Sequence, residues 1–165
     1  MSWLIEVHLK YQLQPETLYI TVNLIDRYCQ KRHVPRSEYQ LLGVGAMLIA
    51  CKYEEIYVPK VCDFVDITDN TYTKEQILRQ ECQILKELAY EITFPSIYRF
   101  LERFSSLTGA CEESFTLSCY LCELCLIEVN MNKWLPSRVA CSALYLSKKM
   151  LKKRTPWTKA IQSVT

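Results

Sequence analysis

Glycine and proline are scarce in this chain. Three glycines and six prolines in 165 residues are too few for a fold built on tight hairpin turns or for a flexible low-complexity segment. Histidine is scarcer still. His8 and His33 are the only two, and neither stands beside a plausible nucleophile pair of the kind covalent catalysis needs. Gly43 and Gly45 both lie inside an apolar run, so no glycine-rich loop is available to cradle phosphate. No stretch reaches the roughly 20 apolar residues of a membrane span, and no N-terminal apolar segment with a cleavage site is present. The net charge of +2 gives no drive toward nucleic acid or an anionic membrane. These absences predict a soluble intracellular chain without catalytic residues.

What is present is apolar and helical. Half of the residues are apolar and 23% are charged, a globular balance. Every proline lies at or just before an expected helix start, where its missing amide costs nothing. Nine cysteines at irregular spacing read as buried thiols of a reducing compartment. The odd count argues against a disulfide framework.

Residues 37–55, SEYQLLGVGAMLIACKYEE, organise the rest. Ser37 and Gln40 have capping-box spacing, and nothing polar occurs over residues 41–51. A helix without a water-facing side belongs in the middle of a bundle. Gly43, Ala46 and Ala50 fall on one side and would admit a close neighbour, offsetting the roughly 1 kcal/mol that each glycine costs in a helix. The run ends in Lys52-Tyr53-Glu54-Glu55. Lys52 suits the negative end of the helix dipole and the two glutamates oppose it, so the helix presents a charged tip.

Around it, the chain opens inside an uncapped amphipathic pattern, Trp3, Leu4, Val7. Pro15 starts a stripe of Leu18, Val22, Ile25 and Cys29, and Pro59 a short helix over residues 60–67. Thr73 and Gln76 repeat the capping-box spacing and open a helix to about Tyr90. Its apolar stripe, Ile77, Leu78, Ile84, Leu85 and Leu88, has Glu81 near the centre. Unpaired there, a carboxylate would cost several kcal/mol or take up a proton. Either it forms an internal ion pair, with Lys52, or this part of the stripe meets a partner protein.

The pattern then restarts. Pro95 opens a helix with Ile97, Phe100, Leu101 and Phe104 on one face, and a helix over residues 112–129 follows. A small-residue helix after Pro136 resembles the central one in composition, and Pro156 begins one more. Two copies of one helical unit account for this, the second incomplete. Cys119, Cys122 and Cys125 do not form a cluster ligand set. Val129 stands where the fourth cysteine would be, and on a helix the outer two thiols lie roughly 9 Å apart along the axis. Phe115, Cys119, Cys122 and Leu126 make a core stripe, and no metal is expected.

The runs WLIEVHLKYQLQPETLYITVNLIDRY, LLGVGAMLIACKYEEIYVP, FVDITDNTYTKEQILRQECQIL and LTGA…LPSRVACSALYLSKK resemble cyclins of the A/B mitotic group, nearest to the B type, over almost all of the chain. The resemblance implies an all-α protein of two cyclin-box five-helix bundles, residues 1–91 and 95–165, the second incomplete. It implies a regulatory subunit that forms a heterodimer with a cyclin-dependent protein kinase in G2/M control. Such a subunit is not an enzyme, needs no cofactor, and works in nucleus and cytoplasm without nucleic acid or membrane as partner. The family's kinase clamp falls on Lys52 and Glu81, with Ile49, Tyr53 and Tyr90 as apolar partners; phenylalanine is usual at the last two. Trp3, Glu6, Tyr39 and Gln40 match the family's substrate-docking patch. That patch normally reads Met-Arg-Ala-Ile-Leu, two residues, then Trp-Leu, whereas here Met1-Ser2 runs straight into Trp3-Leu4. Docking of Arg-x-Leu substrates is therefore expected to be weak or absent. The same helical unit also serves in transcription factors that bind promoter DNA and its binding protein. That alternative would want a basic face, which the near-neutral charge opposes.

Overall fold

In the computed structural model, residues 2–153 are described. They form eight α-helices, with no strand among the described residues. Helices α1 (Ser2–Lys10), α2 (Pro15–Lys31), α3 (Tyr39–Glu54), α4 (Val61–Ile67) and α5 (Lys74–Glu87) belong to one unit, Met1–Phe94. Helices α6 (Ile97–Thr108), α7 (Glu112–Ile127) and α8 (Pro136–Met150) belong to a second, Pro95–Thr165. The helix expected from Pro156 lies outside the described residues.

In the first unit every side of α3 is covered, and residues 42–51 are all buried. One side, with Leu42, Ala46, Ile49 and Ala50, joins Ile20, Leu24 and Tyr28 of α2 and Ile84 of α5. The other, with Val44, Met47, Leu48 and Cys51, meets Leu4 and Val7 of α1, Phe64 of α4 and Ile77 of α5. Each large side chain buried this way contributes roughly 1.5–3 kcal/mol. The seam on α2 runs through Ile20, Leu24 and Tyr28, so Cys29, expected at the end of the stripe, is exposed. Leu18 and Val22 are buried as expected and Ile25 is partly buried, but Tyr28 takes the last core position in place of Cys29.

Several ends differ from the sequence expectation, each for a local reason. Arg36–Glu38 forms a 3-10 turn, so α3 starts at Tyr39 and Ser37 caps nothing; the Ser37 carbonyl accepts from the Tyr72 hydroxyl at 3.3 Å. The Thr73–Gln76 capping box of α5 is present. This helix stops at Glu87 because Ala89 and Tyr90 turn left-handed (φ +52° and +61°) and the Tyr90 amide closes back on the Leu85 carbonyl at 2.8 Å. In α7 the Glu128 side chain accepts from the Asn130 amide and starts a 3-10 turn, Val129–Lys133, two residues before the expected end.

In the second unit α8 packs on both α6 and α7. The Ser118 and Ser147 hydroxyls meet at 2.7 Å between α7 and α8, and each also reaches a carbonyl of its own helix. A buried polar pair of this kind is tolerable because both members are satisfied. All nine cysteines are free thiols. Burial was expected of them as a class, but only Cys51, Cys122 and Cys141 are buried. Cys119 and Cys125 are half-buried, and Cys29, Cys62, Cys82 and Cys111 are exposed. A small thiol is tolerated on the outer face of a helix as readily as in a core.

The close approach expected at Gly43 occurs at Gly45 instead. A Cβ on Gly43 would meet only the Leu4 side chain, at 3.2 Å, whereas one on Gly45 would sit 2.9 Å from Gln80 Cγ and 3.2 Å from Ile84 Cδ1 of α5. Gly45→Val is therefore expected to destabilise the first unit by about 1–3 kcal/mol through overpacking. Thermal or denaturant unfolding checks this, and an unchanged midpoint would show that α5 yields freely.

Candidate functional site

Lys52 is the first charged residue beyond the apolar run of α3, and Glu81 projects from the middle of α5 toward it. The Lys52 ammonium donates to both Glu81 carboxylate oxygens, at 2.6 and 2.8 Å. The two ends of this pair live in different media. The Glu81 side chain is 10% exposed and that of Lys52 46%. A carboxylate on an apolar stripe is thus neutralised from α3, while the ammonium faces outward with one N–H to spare. The dry side is close by: burial, and then the Glu55 carboxylate, push the neighbouring Cys51 thiol up to about 12.

Glu55 resolves the second oddity of the tip. Its carboxylate accepts from the Gln14 amide at 2.7 Å and from the Thr17 hydroxyl at the N-terminus of α2. A charge unfavourable at the end of its own helix is thereby placed at the positive end of another, whose own N-cap residue gives no side-chain bond. Nothing in local spacing signals this contact, which spans 41 residues.

Tyr53 points out beside Lys52 and its hydroxyl bonds Thr93 Oγ1 at 2.6 Å. Here lies the partner that the phenol needs and a phenylalanine would not. Tyr90 is exposed on the left-handed turn after α5. Three cations at the end of α2, the last of them Arg32 just beyond it, hold that turn. Lys31 donates to the Glu87 carbonyl at 2.8 Å, Arg27 to the Glu91 carbonyl at 2.7 Å, and Arg32 pairs with the Glu87 carboxylate. Ile49 is placed differently from its expected role. It is 2% exposed and packed among core side chains, so it supports the tip from beneath and offers no surface. A feature the sequence reading passed over is the loop after α3, where Ile56 and Tyr57 stand out at 89% and 91% exposure. Two apolar side chains that clear of any neighbour are the available signal.

Residues 1–93 match the cyclin N-terminal domain and residues 95–165 the cyclin C-terminal domain. The chain belongs to the cyclin family. Among its relatives, Cyclin-B1-4 of Arabidopsis thaliana is 46% identical over all of this cyclin and 43% of its own length. The G2/mitotic-specific cyclin-B of Spisula solidissima is 47% identical, covering 98% of this chain and 37% of that protein. The G2/mitotic-specific cyclin-B2 of Oryzias luzonensis is 46% identical, covering 96% and 41%. This cyclin chain thus spans about two-fifths of the length of these curated relatives. The X-ray structure of a viral cyclin from herpesvirus saimiri superimposes with a TM-score of 0.87 at 18% identity, over 98% of this chain and 73% of that one. A chain in the structure of the CAK complex from Chaetomium thermophilum bound to ATP-γ-S does so with 0.65 at 16% identity, over 98% and 52%. At such identities the structural likeness shows the fold alone.

Within the cyclin fold the candidate docking residues are scattered in character. Trp3 is half-buried against the core of α1, α3 and α4, Glu6 and Tyr39 are exposed, and Gln40 is half-buried. No group of three or more metal-ligating side chains occurs among the described residues. Cys119 is pushed up to about 11 by burial and then by Glu123 and Glu102, and burial raises Cys122 further still; thiols held protonated in this way are poor ligands.

The Glu55 contact gives a direct expectation. Glu55→Ala removes a charged cap from α2 and should lower stability by about 1–2 kcal/mol. A melting curve on the variant measures it, and Glu55→Gln should recover part of the loss because an amide oxygen still accepts.

Proposed function

We propose that this chain is a non-catalytic regulatory subunit that binds and activates a cyclin-dependent serine/threonine protein kinase in G2/M control. The observation that carries this reading is identity of 46–47% with B-type cyclins across nearly the whole chain. The tip of α3 supplies a contact suited to the role. Lys52, oriented by Glu81, offers its remaining N–H to a carbonyl at the end of the kinase's mobile helix. Tyr53, Tyr90 and the exposed residues 56–58 offer apolar area beside it. A protein kinase needs its Lys–Glu pair assembled. A partner that binds only the inward position of the helix carrying that Glu shifts the population toward the active state.

The rest of the reading follows from the same proposal. Arg-x-Leu substrates dock weakly at Trp3, Glu6, Tyr39 and Gln40, since Trp3 and Gln40 are half-buried and only Glu6 and Tyr39 are exposed. The complex works in nucleus and cytoplasm. No described helix is long and apolar enough to cross a membrane. A promoter-binding role is disfavoured by the net charge of +2.

Because Lys52 and Glu81 pair within the subunit, their roles in folding and binding must be separated. Lys52→Ala leaves Glu81 facing the core edge without a counter-charge and should cost about 1–2 kcal/mol of stability, discounted for the exposure of the ammonium. Glu81→Ala frees an ammonium that water can solvate and should cost less than about 1 kcal/mol. Either change should weaken kinase binding by about 2–5 kcal/mol. The decisive variant is the charge swap, Lys52→Glu with Glu81→Lys. It restores an ion pair, so melting temperature should recover while affinity for an immobilised cyclin-dependent kinase does not. Recovery of both would reduce the pair to a structural tie.

A further inference from the structure

Tyr90 owes its place to residues outside the α3 tip. The carbonyls of Ile84, Leu85, Lys86 and Leu88, at the end of α5, accept from the amides of Leu88, Tyr90, Ala89 and Glu91 at 2.8–3.1 Å. Among the described amides none reaches the Glu87 carbonyl, and the Lys31 ammonium takes it instead, at 2.8 Å. Arg27, one turn earlier on the same face of α2, donates to the Glu91 carbonyl at 2.7 Å. Arg32, the C-cap residue of α2, pairs with the Glu87 carboxylate. Its hydrogen bond first, and the Arg32 and Lys31 charges after it, hold the Glu87 carboxyl below the ordinary carboxylate range. The end of α2 thus grips positions 87 and 91, and the left-handed pair Ala89 and Tyr90 lies between them.

The far side of the turn is tied down independently. Ile92 and Phe94 pack against the core shared by α2, α3 and α5. Thr93, between them, meets the hydroxyl of Tyr53 on the α3 tip at 2.6 Å. Leu88, ahead of the turn, is buried. Tyr90, 65% exposed, is therefore the outward member of a segment fixed at both ends. Its backbone conformation is one that glycine, and not a bulky residue, ordinarily supplies. Without the grip from α2 the turn would relax to other conformations and carry the ring with it.

We propose that Arg27, Lys31 and Arg32 are positioning residues for the kinase contact: from the end of α2 they hold the Ala89–Tyr90 turn so that the Tyr90 ring is already placed in the free subunit. The proposal rests on the regulatory reading above and adds that the end of α2 tunes kinase affinity through Tyr90, with its own bonding groups spent inside the subunit. The reason is entropic. A ring on a wandering turn must be ordered at the moment of binding, and ordering one such side chain costs roughly two- to tenfold in affinity.

The full chain, amide hydrogen exchange and an immobilised cyclin-dependent kinase provide the test. In the double variant Lys31→Ala with Arg32→Ala, exchange of the Tyr90 amide should speed up by about tenfold or more, while the amides of residues 42–51 keep their protection. Kinase affinity should fall roughly three- to tenfold. In a Tyr90→Ala background the same double change should cost no further affinity, because no ring is left to place. Ala89→Gly, which suits a left-handed turn, should return part of the affinity lost in the double variant. Equal weakening with and without Tyr90, or an unchanged Tyr90 amide and unchanged affinity, would reduce the α2 cations to a structural tie and overturn the proposal. So would a Tyr90→Ala variant that binds as the unaltered chain does. Weakened binding by Lys52→Ala would leave the regulatory reading standing in each of those cases. An unaltered chain that does not bind the kinase would overturn both.

Discussion

A helix with no side for water is the constraint on which the first unit depends. Residues 42–51 of α3 are buried all round, so α3 can meet solvent and charge only at its ends. Polar obligations collect at the C-terminal tip as a result. There Lys52 ties α3 to α5 through Glu81, Glu55 ties it to the head of α2, and Tyr53 ties it to the segment after α5 through Thr93. Each bond is made by a side chain within four residues of the last buried position. The tip is therefore both the knot of the first unit and a charged, exposed point on it.

The turn beside it is held at some cost. Two consecutive left-handed residues without glycine, Ala89 and Tyr90, are disfavoured by roughly 1–2 kcal/mol each. The three α2 cations at the end of α5 offset this, since each sits where the helix dipole is negative. Gly109 ends α6 in the same conformation with nothing within 4 Å of its would-be Cβ, which is how an unconstrained helix end is usually built. At α5 the chain keeps bulky residues in a conformation that suits glycine, and the consequence is that the Tyr90 ring is carried outward next to the α3 tip.

These particulars also explain what could be read from sequence. The fold class and the order of helices were legible because apolar residues recur at helical spacing along most of the chain, α3 is one unbroken apolar run, and the prolines mark starts. Glu81 was legible as an anomaly for the same reason: a clean stripe makes one carboxylate conspicuous, and Lys52 was the cation at hand. The helix ends were not. Ser37 has the right chemistry at the right spacing, yet a 3-10 turn occupies its place, and α5 ends without glycine. Glu55 was invisible because its partners are brought close by tertiary structure alone, and Ile49, assigned to the kinase contact by resemblance, is packed among core side chains. The thiols failed as a class argument, since the environment of a cysteine is a property of its site and not of its type.

The geometry of the Lys52–Glu81 pair bears on how a subunit could grip a mobile helix at all. A free lysine at a surface loses up to roughly 1.5–2 kcal/mol of rotamer entropy when it is fixed on binding. Here two of its three N–H groups are already engaged by a carboxylate that is itself held on a buried stripe. Much of that ordering is done in the free subunit, at the time of folding, so a partner carbonyl meets an ammonium already in position. Under the proposed function Glu81 need not touch the partner to matter; it would aim Lys52 and keep it from turning back into water. On this view the buried carboxylate that looked out of place on an apolar stripe is the part of the site that the core can hold still. Under the proposed function the exposed ammonium is the part that the partner would read.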